Sequence, residues 1–135
     1  MDQFESSGDV SVDAEALVSA VRTSLGDSLR RVVYFTPSRF AVLYARQDLS
    51  DATTDATERL VEIEDVGFAE RPVRDAVARH ETGTDIGPYA FTVRVHERGF
   101  VVRVLVGDHG VLFTADEMDV RAFGEAATAV RRLLA

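Results

Sequence analysis

The residues able to do chemistry in this chain are few, and their spacing excludes more than it admits. Each of the three histidines stands beside an acid, as His80-Glu81, His96-Glu97 and Asp108-His109. A metal site needs three or four ligands converging at roughly 2.0–2.2 Å. A His-Glu pair without a second histidine four residues on is not a zinc-protease helix. His96 and His109 fall near opposite ends of one predicted hairpin, so no metal site is expected. Cysteine is absent, which removes thiol catalysis, disulfides and cysteine-ligated zinc. Gly83-Thr-Asp-Ile-Gly87 lacks the Gly-Lys-Ser/Thr ending of a phosphate loop, and there is no Gly-x-Ser-x-Gly elbow. Paired carboxylates are background in so acidic a chain, because acid–base work needs burial to separate two pKa values. No catalytic residue, cofactor or metal is assigned.

Two groups remain. Tyr34, Arg39, Tyr44, Arg46 and Tyr89 combine phenols with guanidinium forks, and could line an anion or carboxylate pocket if the ends of their segments are adjacent. Arg94 and Arg103, among Thr92, Val101 and Leu105, share one face of two predicted strands, and arginine among aliphatic neighbours suits a partner or dimer face.

The elements that must position these groups centre on Tyr89–Asp116, read as three antiparallel strands by period-two alternation. Tyr89, Phe91, Val93 and Val95 lie on one face, with Thr92, Arg94 and His96 opposite. Glu97-Arg98-Gly99 is read as a tight turn with Gly99 at positive φ. Phe100, Val102, Val104 and Val106 continue the apolar face, as do Val111, Phe113 and Ala115 after a turn at Gly107–Gly110. Val101 and Leu105 make the reverse face only half polar, so a second, partial cover is expected, either a helix or another subunit.

Upstream, a helix is predicted over Ser11–Leu25, capped by Ser11 or Asp13 and stopped by Gly26. A strand over Leu29–Phe35 follows, with Val32-Val33-Tyr34-Phe35 after the basic pair Arg30-Arg31. A second helix spans Ser50–Asp65, striped by Ala52, Ala56, Leu60 and Ile63. A short helix opens at Pro72, aligning Val73, Ala76, Val77 and His80, and Gly83–Pro88 is a loop. Asp116 and Asp119 resemble a capping pair for a last helix with Val120, Phe123, Ala127, Val130 and Leu134 facing the core. Phe40–Ala45 fits both periods. With Thr36 as cap and Pro37 as first residue it reads as helix, the preferred reading; as a strand it would follow a turn at Thr36–Arg39.

The expected fold is α+β: one domain over residues 11–135, an antiparallel sheet of about four strands, its C-terminal meander packed with N- and C-terminal helices. Residues 1–10 are read as a disordered acidic leader. If Phe40–Ala45 were a strand, the element order would resemble five-stranded roadblock and profilin-like interaction folds.

The charge inventory is unusual. All 15 basic residues are arginine, against 23 acids, for a net charge of −8 over 135 residues. A carboxylate-rich surface suits molar salt, where the screening length falls to ~3 Å and self-repulsion is muted. The expected setting is therefore the cytoplasm of a salt-accumulating archaeon. No apolar run approaches the ~20 residues of a membrane helix, and the dispersed arginines argue against nucleic acid as partner.

Tyr34-Phe35-Thr36, Phe40, Leu43-Tyr44 and Arg46 before Asp48-Leu49 resemble a family of short haloarchaeal proteins carrying a domain of unknown function. The resemblance resumes at Tyr89 with Phe-Thr-Val-Arg-Val, at Gly99-Phe-Val-Val-Arg-Val and at Gly110-Val-Leu-Phe-Thr. It covers most of residues 15–134, and matches poorly across the acidic helix between the motifs. It implies a helix after Tyr-Phe-Thr and carries over no catalytic residue. The functional expectation is a non-catalytic interaction or regulatory module acting on a protein partner or on itself as a homodimer. The alternative is a small-molecule sensor for an anion or carboxylate at the Tyr34–Tyr89 group.

Overall fold

A computed structural model of the chain describes residues 12–70 and 85–135. The acidic leader and the helix expected from Pro72, with His80, lie outside the described residues, as does the start of the loop before Pro88. The elements in chain order are α1 (Ala14–Leu25), β1 (Leu29–Phe35), β2 (Phe40–Ala45), α2 (Thr53–Glu64), α3 (Val66–Ala69), β3 (Thr92–His96), β4 (Gly99–Val106), β5 (His109–Ala115) and α4 (Val120–Leu134). The strands form one antiparallel sheet in the order β2-β1-β5-β4-β3. Among the described residues the fold is α+β with five strands, close to the four expected and equal to the number in the alternative with Phe40–Ala45 as a strand.

Both long helices start where an aspartate can take an orphan backbone donor. The Asp13 side chain accepts from the Ala16 amide in α1, and Asp119 accepts from the Ala122 amide in α4. Gly26 ends α1 at φ 59°, a conformation that a side chain would strain. Leu17 and Val21 of α1, and Phe123, Ala126 and Val130 of α4, bury one stripe against the alternate residues Val32, Tyr34, Val102, Val104, Val111 and Phe113. The period-two reading of the meander agrees with this core, except that Val95, expected on the same face, is 65% exposed. Val120 does not join the stripe and stands 63% exposed. No helix among the described residues is long and apolar enough to cross a membrane.

The segment read as helix after Thr36 is a strand. Thr36 and Arg39 close a hairpin through the Thr36 amide, which donates to the Arg39 carbonyl at 2.8 Å. Phe40, Ala41, Val42 and Tyr44 then pair with β1. The register steps from Val32↔Tyr44 to Val33↔Val42, so Leu43 is an extra residue in a β-bulge. The bulge lets the neighbours Leu43 and Tyr44 both pack toward the α1–α4 core, while Phe40 packs on the opposite side. Two adjacent apolar residues on one side mimic helical spacing, which is why the sequence supports both readings.

The turn before β4 also differs in detail. Gly99 is not at positive φ; it opens β4, where a Cβ would meet the Ala115 carbonyl oxygen at 3.0 Å. Gly107 supplies the positive φ in the following turn, at 60°.

The reverse face of the sheet is covered by the chain itself. Val33, Phe35, Val101, Leu105 and Leu112 form a second core with Val61 of α2, joined by Leu60 and by Phe68 of α3. The Phe35 and Phe68 rings meet edge to face at 5.4 Å. The buried side of α2 is Thr57, Val61 and Glu64, one position on from the expected Ala56, Leu60 and Ile63. Ile63 is 42% exposed. The helix is rotated so that a carboxylate, not an isoleucine, faces the sheet, and the reason lies in the strands.

Candidate functional site

Arg94 and Arg103 stand on β3 and β4 facing α2, and Glu64 descends between them. Arg94 donates to the Glu64 carboxylate at 2.7 and 3.3 Å, and Arg103 donates to the same carboxylate at 3.4 Å and to the Glu64 carbonyl at 3.3 Å. Arg103 also reaches the Thr92 hydroxyl at 3.1 Å, which in turn bonds the Tyr89 phenol at 2.9 Å. A guanidinium on a half-apolar sheet face must find a counter-charge when a helix covers it, and this dictates the rotation of α2. Gly67 of α3 completes the fit, because a Cβ there would lie 2.5 Å from an Arg103 nitrogen.

The expected interface of Arg94, Val101, Arg103 and Leu105 is thus mostly interior. Val101, Arg103 and Leu105 are each 3% exposed beneath α2 and α3. The partial cover inferred from the aliphatic residues exists, and it is a helix pair of this chain, so these three residues are not available as surface.

The five residues expected to line an anion pocket are distributed. The Tyr34 phenol bonds His109 Nδ1 at 2.8 Å, and His109 Nε2 lies 3.0 Å from the Leu134 carbonyl. A carbonyl only accepts, so a neutral His109 carries its proton on Nε2 and accepts the phenol proton at Nδ1. This relay ties β1 and β5 to the end of α4, and burial pushes the Tyr34 phenol pKa up. Tyr44 takes the Arg22 guanidinium over its ring at 5.2 Å. Arg39 sits at the end of the β1–β2 turn. Tyr89 precedes β3, and β5 and β4 lie between it and β1, a separation of roughly 14 Å at ~4.8 Å per strand. The group does not converge.

Arg46 is bound by acids at the end of the sheet. It donates to both oxygens of Asp48 at 2.7 and 3.1 Å, to Asp116 at 2.6 Å and to the Asp27 carbonyl at 2.9 Å. Arg30 joins Asp116 at 3.0 Å, so Asp116 serves a strand-end charge network rather than the cap of α4. Hydrogen bonds from Arg46 hold the Asp48 and Asp116 carboxyls below the usual carboxylate range. Groups depressed in this way stabilise the fold above their unfolded pKa, and that contribution is lost as pH falls through their folded values. Arg46→Gln is therefore expected to lower the melting midpoint at pH 7 by about 3 °C. The difference should vanish near pH 2, as read by thermal melts at constant high salt; an equal difference at both pH values would refute the assignment.

A groove of about 420 Å³ opens between α2 and the sheet at the end nearer the β3–β4 turn. Its apolar lining includes Leu60, Ile63, Phe100 and Val101, and its polar lining includes Arg31, Arg59, Arg98, His96 and Thr114. Arg31 is 5% exposed and its Nε is buried without a partner, as is Nε2 of His96. The Arg31 backbone amide donates to the Thr114 hydroxyl at 3.1 Å, and burial is the main cause lowering the pKa of its side chain. In sequence Arg31 is half of a basic pair within the Leu29–Phe35 strand and is not among the candidate site residues. The usable signal was an arginine adjoining the wholly apolar run Val32–Phe35. Among the described residues, no group of three or more histidines and acids is placed to hold a metal ion.

The family model described as Domain of unknown function (DUF7522) matches residues 15–135. No curated protein matches the chain. The match covers both cores, the Glu64 cluster and the groove. The chain belongs to this family.

Proposed function

We propose that this DUF7522 protein is a non-catalytic interaction module of a salt-rich archaeal cytoplasm, and that it works by pairing through the free edge of β3. The observation that supports this reading is the open flank of the sheet. Among the described residues, β3 pairs with β4 on one side and has no strand on the other. Val95, on this strand, is 65% exposed, and Val120, the first residue of α4, is 63% exposed. The Phe100 opposite Val95 packs on Phe123 of α4, which brings the strand edge and that helix end together. An exposed edge strand beside apolar surface is a template for strand addition.

A second copy of the chain is the simplest occupant, because a two-fold axis sets β3 antiparallel to itself and extends the sheet. Two bodies of charge −8 repel at low ionic strength and approach freely once the charge is screened. Association is therefore expected to strengthen with salt.

Val95→Lys places a charge on that edge without touching either core. It is expected to leave the melting midpoint within about 2 °C, since surface substitutions change stability by at most roughly 0.5 kcal/mol, and to abolish dimerisation in light scattering at molar salt. A wild-type chain that stays monomeric at high concentration and captures no partner, or a Val95→Lys chain that associates as before, overturns the reading.

A further inference from the structure

We propose that the groove between α2 and the sheet is a binding site for a small amphipathic carboxylate, anchored by Arg31. The site is distinct from the β3 edge and from the Tyr34–Tyr89 group. Its anchor is placed by a second β-bulge. The register of β1 on β5 steps from Leu29↔Ala115 to Arg31↔Thr114, leaving Arg30 as the extra residue. Without the bulge, Arg31 would share the face of Leu29 and point into the α1–α4 core. With it, Arg31 turns to the α2 side beside Thr114. Bulges re-aim side chains in this way, often next to sites.

A buried arginine ordinarily has a carboxylate partner. Arg94 and Arg103 have one in Glu64. Arg31 forms no ion pair among the described residues, and its Nε has no hydrogen bond. Asp48 attracts it through space, yet both Asp48 oxygens are already taken by Arg46. The neighbouring charges do not supply a partner either: Arg59 and Arg98 also line the groove, and the one acid among its described lining residues, Glu97, pairs with Arg98 at 3.1 Å. A cation-lined recess in a chain of charge −8 attracts anions where the rest of the molecule repels them.

The class of anion follows from the shape of the donors and the remaining lining. The planar edge of a guanidinium matches a carboxylate through two parallel N–H···O bonds. The Nε2 of His96, buried without a partner on the same groove, is a further donor in the Nε2–H tautomer. Leu60, Ile63, Phe100 and Val101 present hydrocarbon around these donors, and Ile63 is left 42% exposed. A short chain or ring bearing one carboxylate satisfies both parts, and a volume of about 420 Å³ accommodates it. Molar salt screens the rim arginines and a buried guanidinium much less, so the interaction survives the conditions that the composition suits.

Titration calorimetry in molar potassium chloride, with hexanoate as probe and acetate, 1-hexanol and inorganic phosphate as controls, tests the assignment. Saturable binding of hexanoate is expected, with each control weaker by about tenfold or more, a difference of about 1.4 kcal/mol. Arg31→Leu replaces the buried charge by an apolar side chain of similar reach, a change that buried ionic sites commonly tolerate. It should abolish hexanoate binding while the circular dichroism spectrum is retained. Ile63→Glu, at a half-exposed position, should weaken binding about tenfold without loss of fold. Val95→Lys should bind hexanoate as the wild type does, so this site and the β3 edge succeed or fail separately. Absence of saturable binding, hexanoate affinity unchanged in Ile63→Glu, or acetate and phosphate binding as tightly as hexanoate, overturns the proposal.

Discussion

Replacing Glu64 by alanine is expected to lower stability by about 3–5 kcal/mol, because it removes the shared carboxylate of a buried ion cluster and leaves two guanidiniums behind. The Glu64 side chain is 1% exposed and that of Arg103 is 4% exposed, so neither is rescued by water in place. Arg103 has no reserve: its Nε already lacks a partner, and its other contacts are the Glu64 carbonyl, Thr92 and a 3.6 Å approach to the exposed Glu70. Arg94, 40% exposed, can turn outward and limits the loss. Urea denaturation at constant molar salt reads the change. Pairing Glu64→Ala with Arg103→Leu should recover a large part of it, since the cost lies in the uncompensated charge and not in the missing contact. A loss under about 1 kcal/mol for the single variant would show that the cluster is not what holds α2 on the sheet.

Dialysis from molar salt into dilute buffer is expected to unfold the protein altogether. With 23 acids against 15 arginines, the native state concentrates a charge of −8 that the unfolded chain disperses. Lowering the salt from 1 M to 0.01 M lengthens the screening distance from ~3 Å to ~30 Å, about the size of the domain, so every excess carboxylate then acts on every other. Circular dichroism during stepwise dialysis should show the loss of structure, recovered when potassium chloride is restored. Recovery in sodium sulfate as well would point to screening and surface exclusion rather than to a specific ion. A fully native spectrum in low salt would remove the high-salt setting from the proposed function.

The two predictions draw on different levels of the molecule. Salt dependence follows from composition alone. The Glu64 prediction could not have been made from sequence, where Glu64 is one of four acids in the last turns of an acidic helix. Its partners, Arg94 and Arg103, are 30 and 39 residues away. The sequence pattern marked their face of the sheet as half apolar and in need of a cover. Only the packing of α2 shows that the cover is internal, and that the arginines are satisfied by it.

By itself the sequence determined the α+β class, the meander from β3 to β5, the capped first and last helices, and which alternate residues of the strands meet them. These are local properties: period two, period 3.6, an aspartate before an apolar stripe and a glycine after it. The tertiary structure decided the rest, and it did so at two bulges and one rotated helix. At Leu43 an extra residue puts two neighbours on one side, so a strand carries the apolar spacing of a helix. At Arg30 an extra residue turns Arg31 out of one core and into the groove of the other. The turn of α2 that buries Glu64 is set by Arg94 and Arg103, on β3 and β4 at the opposite side of the sheet from β2. A bulge or a helix rotation shifts which face a side chain meets without altering the residues that announce the element, and long-range charge pairing selects among those shifts.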